Sequence, residues 1–90
     1  MEAAHFLVGG KVQGVGFRAG TLNEAARLGI VACRALNLSD GRVEVVVKGE
    51  TVAIAALAEW LRHGPSGARV DAVAWEELDA GSVPDGLYAG

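Results

Sequence analysis

The chain has 90 residues, a formal charge of −3, and 51% hydrophobic residues. This length and composition fit one small globular domain with an adequate but not generous core. The negative balance excludes a surface built to ride on nucleic-acid phosphates, and no apolar run approaches the ~20 residues of a membrane span.

Residues 4–8, Ala-His-Phe-Leu-Val, read as a strand with Phe6 and Val8 on one face and His5 and Leu7 on the other. A glycine-rich stretch follows, from Gly10 to Arg18. From there to Leu28 the pattern turns helical, with Leu22, Ala25 and Ala26 as its apolar stripe and Gly29 as its stop. Residues 30–36 read as a second strand. Asp40-Gly41 closes a hairpin turn that begins at Asn37. Residues 42–48 alternate, with Val43, Val45 and Val47 on the buried face. Residues 51–63 form a second helix with the stripe Ile54, Leu57, Ala58 and Leu61, ended by Gly64-Pro65. Residues 69–75 are a fourth strand, in which the odd spacing of Val70 and Val73 points to a bulge or a change of face. Residues 79–85 are loop, and residues 87–89 a short closing strand. The order β-α-β-β-α-β, with two right-handed crossovers, predicts an α+β fold. Its form is a ferredoxin-like α/β sandwich, an antiparallel sheet with both helices on one face and the other face open.

The stretch Gly10-Lys-Val-Gln-Gly-Val-Gly-Phe-Arg18 carries the chemistry. Gly10, Gly14 and Gly16 allow positive φ and leave backbone N–H groups exposed at the start of a helix, which makes a cradle for an anion. Arg18 adds a planar fork of donors. A cation at a helix N-terminus opposes the helix dipole at a cost of about 0.3–1 kcal/mol. Its presence there makes sense when an anion sits between it and the amides. The stretch lacks the Gly-Lys-Ser/Thr of a Walker A loop. Gly14-x-Gly16-x-x-Ala19 matches a dinucleotide pattern, but a strand that runs straight into a hairpin is not a Rossmann unit.

Asn37 is the second candidate, because an amide holds a water through its carbonyl oxygen while donating from its NH₂. Gln13 and Asp40 read as supports for backbone turns, and His5 as a solvent-side histidine that would at most brace the loop. Trp60 and Trp75 read as core or rim aromatics and Cys33 as a small buried hydrophobe. Cys33 has no second cysteine to pair with and no metal-ligand set around it, so neither a metal nor a cofactor is expected. No signal peptide is expected from the first residues. A cytoplasmic monomer is expected.

These residues resemble the acylphosphatase family. Gly10-x-Val-Gln-Gly-Val-Gly-Phe-Arg18 is similar to its signature, and Glu24-Ala25 and Leu28-Gly29-Ile30 continue the likeness. Asn37-x-x-Asp-Gly41-x-Val-Glu44 resembles its second motif, and Gly64-Pro65, Ala68-Arg69-Val70 and Val73 its last third. The resemblance implies metal-independent hydrolysis of a small-molecule acyl phosphate. Arg18 and the amides from Val15 through Gly16 and Phe17 to Arg18 would bind the phosphoryl group, and Asn37 would orient the attacking water. Against the family spacing the chain is one residue longer between Ile30 and Asn37. A bulge between Val31 and Leu36 is therefore expected to keep Asn37 inward. Ala19 and Gly20 stand where the family carries larger residues, which predicts unfilled core volume. The alternative, should Asn37 turn away, is a non-catalytic anion-binding or regulatory module of the same fold. RNA binding on the open sheet face has too few aromatics to support it.

Overall fold

The sheet follows from alternation and the helices from their stripes. The computed structural model describes residues 1–90. In chain order it contains β1 (Glu2–Lys11), α1 (Phe17–Arg27), β2 (Ala32–Asn37), β3 (Val43–Gly49), α2 (Thr51–Leu61), β4 (Arg69–Leu78) and β5 (Tyr88–Ala89), with a 3-10 turn at Ala80–Ser82. The strands form one sheet in the order β4-β1-β3-β2-β5. Phe6, Val8, Cys33, Ala35, Val43, Val45 and Val47 from the sheet pack with Phe17, Ala25, Ile54, Leu57 and Leu61 from the helices. Burying each large side chain contributes roughly 1.5–3 kcal/mol, which orients both helices on this one face. The result is the expected ferredoxin-like α+β sandwich.

Several local features differ from the sequence reading. β1 runs on through Gly9 and Gly10 to Lys11, because a central strand is held by neighbours on both sides. The bulge foreseen near Val70 is present. Gly9 pairs with Ala72 but Gly10 with Val70, so Asp71 is left over. Gly10 has φ 129°, and a Cβ there would lie 2.2 Å from the Arg69 carbonyl oxygen. Only glycine allows the two backbones this close.

The buried stripe of α1 is Phe17, Thr21 and Ala25, while Ala26 is exposed. Thr21 is fully buried because its hydroxyl donates to the Phe17 carbonyl at 2.8 Å, so no polar group is orphaned. The unfilled volume expected at Gly20 does not exist. The Trp60 ring from α2 occupies it, and a Cβ on Gly20 would meet that ring at 3.1 Å.

β2 begins at Ala32 rather than at residue 30. Ile30 instead belongs to the exit of α1, its N–H donating to the Ala25 carbonyl at 3.0 Å while Gly29 takes φ 76°. The bulge expected between Val31 and Leu36 is absent: β2 pairs with β3 without a slip from Ala32↔Lys48 to Asn37↔Val43. The residue by which the chain is expected to exceed the family spacing therefore causes no slip within this ladder.

The sheet is mixed rather than wholly antiparallel, because β5 pairs parallel to β2. The chain leaves β4 at one edge and crosses the otherwise open face to the opposite edge. Val83 on this crossing is buried against Ala3 and Ala32, with Val46, Leu78, Ala80 and Leu87 around it. The open face is therefore covered at one end by a small second core.

Candidate active site

Between β1 and α1 the chain must change direction within a few residues. Gly14 and Gly16 take φ 74° and 78°, and a Cβ on either would meet nothing within 4 Å. These glycines serve backbone conformation rather than space. Gly16 is the residue before α1, and its carbonyl accepts the first helical bond, from the Gly20 N–H at 2.9 Å. The N–H groups of Val15, Gly16, Phe17, Arg18 and Ala19 donate to no acceptor in the protein. Most helices cover such groups with a side-chain cap, but α1 has none, nor any acidic residue in its first turn. The consecutive free donors at the positive end of a helix dipole form an anion cradle.

Arg18 lies exposed in the first turn of α1 and makes no ion pair. Arginines 27, 34, 42, 62 and 69 each have a carboxylate within 4.0 Å. Arg18 therefore keeps all its donors available to a ligand. Phe17, one residue earlier, is fully buried and anchors the cradle: its ring centre lies 5.7 Å from that of Trp60, the planes tilted by 51°, and the ring rests on Gly64. Val15 packs on the core, and the segment at Gly67 runs beside it. The cradle is thus a short exposed backbone held from beneath by Val15 and Phe17.

Asn37 is the last residue of β2 and is exposed. Because the β2–β3 ladder is unbroken, it shares the helix-bearing face with Cys33 and Ala35, opposite Val43. The hairpin turn after it is closed by the Leu38 N–H to the Arg42 carbonyl, 2.8 Å, and the Gly41 N–H to the Leu38 carbonyl, 3.2 Å. Asp40 accepts from the Arg42 N–H at 3.1 Å and pairs with its guanidinium at 2.8 Å. These contacts hold its carboxyl below the usual carboxylate range. Asp40 thus serves the turn, as expected.

Gln13 also serves this turn, but from a distance. Its Nε2 donates to the Leu38 and Arg42 carbonyls at 2.8 and 3.0 Å, tying the cradle to the β2–β3 hairpin. Nothing in the local sequence signals a reach across 25 and 29 residues.

His5 does not brace the loop. It lies on the opposite sheet face between Glu44, 3.0 Å, and Glu76, 3.3 Å. No group of three or more His, Cys, Asp or Glu side chains is placed to hold a metal ion, and no helix is long and apolar enough to cross a membrane.

The acylphosphatase family model matches residues 4–84. An acylphosphatase of Marinobacter nauticus is 51% identical over 76 residues, 84% of this chain and 82% of that protein. An acylphosphatase of Pseudomonas paraeruginosa is 53% identical over 74 residues, 82% of this chain and 80% of that one. The solved structure of an acylphosphatase from Coxiella burnetii superposes with a TM-score of 0.84 at 43% identity, covering 93% of this chain and 84% of its own. The chain belongs to the acylphosphatase family. The glycine-rich cradle and the β2–β3 hairpin lie within the matched residues, and the fold agreement extends to the sheet beneath them. An acylphosphatase meets a phosphoryl group carried on a carboxyl group.

Proposed function

We propose that this chain hydrolyses the carboxyl–phosphate bond of small-molecule acyl phosphates with Arg18 and Asn37 as its catalytic residues. Family membership over residues 4–84 supports the reaction itself and speaks against the non-catalytic module. The role of Arg18 rests on one observation: unsatisfied backbone donors from Val15 to Arg18 stand beside an arginine that has no carboxylate partner, while that of Asn37 rests on its place at the exposed end of β2, on the helix-bearing face. The phosphoryl oxygens lie on the amides of Val15, Gly16, Phe17 and Arg18, and the Arg18 guanidinium grips two of them. Asn37 holds a water through its side-chain carbonyl. That water attacks phosphorus in line, the new O–P bond forming as the P–O bond to the carboxyl group breaks. The carboxylate leaves with the bonding electron pair, and the water's proton passes to phosphate or solvent. A carboxylate is a weak base, so no strong general acid is needed. Positioning and stabilisation of the equatorial oxygens supply the rate, with no metal or cofactor in the step. The unit works as one acylphosphatase-like domain, a cytoplasmic monomer.

The test is hydrolysis of a synthetic aroyl phosphate in the presence of chelator, with Asn37→Ala alongside the wild type. Asn37 acts on the nucleophile, not on the bound anion. Its loss should lower kcat about 100-fold and leave competitive inhibition by phosphate unchanged. Wild-type kcat in Asn37→Ala would assign the water to another group, and weakened phosphate inhibition would move Asn37 to the phosphoryl group.

A further inference from the structure

The two halves of the proposed site come from different parts of the chain. The anion cradle is the β1–α1 loop, and Asn37 ends β2. The two oxygens that join them are already in use. The Leu38 carbonyl accepts from Gly41 and the Arg42 carbonyl from Leu38. Each oxygen gives its remaining acceptor capacity to the same nitrogen, Gln13 Nε2, at 2.8 and 3.0 Å. A primary amide has two N–H bonds, one for each carbonyl. No other hydrogen bond joins residues 12–18 to residues 37–43. One of the two acceptors belongs to the residue after Asn37. Gln13 therefore fixes the end of β2 relative to the loop.

We propose that Gln13 is a positioning residue that sets the separation between the phosphoryl cradle and Asn37, and so places the attacking water in line with phosphorus. This rests on the reading of Asn37 as the water's holder. Gln13 touches neither phosphate nor water. Its contribution is to hold one half of the site within the few tenths of an ångström that in-line attack demands.

The experiment is a double-mutant cycle on the full chain with Gln13→Met, Asn37→Ala and the double variant. Methionine keeps the length of the side chain and removes both donors. Aroyl phosphate turnover, phosphate Ki and melting temperature are measured for each. Gln13→Met should lower kcat by about 10- to 100-fold with phosphate Ki unchanged. The double variant should be no slower than Asn37→Ala alone, because a misplaced asparagine and an absent one are equivalent. Gln13→Asn, one methylene shorter, enters the same cycle if Gln13→Met does not fold. Fully additive losses, or a phosphate Ki that rises with the loss of kcat, would place the action of Gln13 on the cradle and overturn the proposal. A lower melting temperature at wild-type kcat would make Gln13 a turn support only, and the role of Asn37 would stand. Wild-type kcat in Asn37→Ala would remove both readings together.

Discussion

At the scale of single residues, function rests on a charge left without a counter-charge. Arg18 stands at the positive end of α1 with no carboxylate to neutralise it, a local cost that a bound phosphoryl group reverses. Lysine at this position would keep the charge and lose the fork. Arg18→Lys should therefore lower kcat/KM by at least about 100-fold, the scale of one lost charge-assisted donor in a transition state. Because the side chain is exposed, Arg18→Ala should melt at the wild-type temperature, and an unfolded variant would make Arg18 structural. Cys33 is the opposite case, a group buried where no ligand reaches it. Burial raises its thiol from the ordinary 9.0 to about 12, so thiol reagents should label it only after unfolding. The folded state holds the proton more tightly than the unfolded one. Stability is therefore untouched below pH 9 and declines as pH climbs from there toward 12. In Cys33→Ala that part of the alkaline decline should vanish, read as the difference in denaturant midpoint between the two proteins across the pH range.

At the scale of elements, the two helices meet through glycines that receive rings. Trp60 of α2 lies on Gly20 of α1, and Phe17 of α1 lies on Gly64 at the end of α2. The sequence shows each glycine but not its ring. Gly20 looks like missing volume and Gly64 like a helix stop, because the partners lie 40 and 47 positions away. The same limit hid the reach of Gln13. Short-range patterns were legible: the alternation of Val43, Val45 and Val47, the α2 stripe, the Asp40-Gly41 turn, and the bulge implied by Val70 and Val73. In α1, Ala25 and Leu22 pack on the core as their spacing implies, but Ala26 is exposed and Thr21 is buried, because a residue polar by type is here satisfied by its own helix. Gly64→Ala tests the ring-on-glycine packing. With φ 68° and a Cβ placed 2.5 Å from Phe17 Cε2, the variant carries both backbone strain and overpacking. A loss of about 2–4 kcal/mol is expected from the two together. Phe17 also anchors the cradle, so phosphate Ki should rise in the variant. An unchanged Ki in a destabilised Gly64→Ala would mean that the cradle tolerates movement of Phe17.

At the scale of the whole molecule, the sheet separates function from closure. The cradle and Asn37 lie at the end of the sheet where β1 leads into α1 and where Asn37 faces Val43. The crossing segment lies at the other end, where Val83 sits on Ala3 and Ala32 and Lys48 pairs with Asp85 at 2.7 Å. From there the Gly86 N–H donates to the Val31 carbonyl, the Cys33 N–H to the Leu87 carbonyl, and Tyr88 Oη to the Ile30 carbonyl. The segment thus braces β2 from its outer edge, and burial raises the Tyr88 hydroxyl above its ordinary value. No local pattern signals the path of this crossing, because residues 79–86 have neither strand nor helix period and their partners are distant. Val83 is its only fully seated side chain, 5% exposed. Removing two methyl groups from this small core should cost about 1–2 kcal/mol, several degrees of melting temperature for a domain of this size. The cost should stay local. Well below its lowered melting point, Val83→Ala should turn over aroyl phosphate at the wild-type kcat with the wild-type phosphate Ki, since the β2–β3 ladder and the Gln13 bridge stand between the crossing and the site. A fall in kcat without a change in Ki would instead mean that the crossing sets the position of β2 along its whole length, and with it that of Asn37.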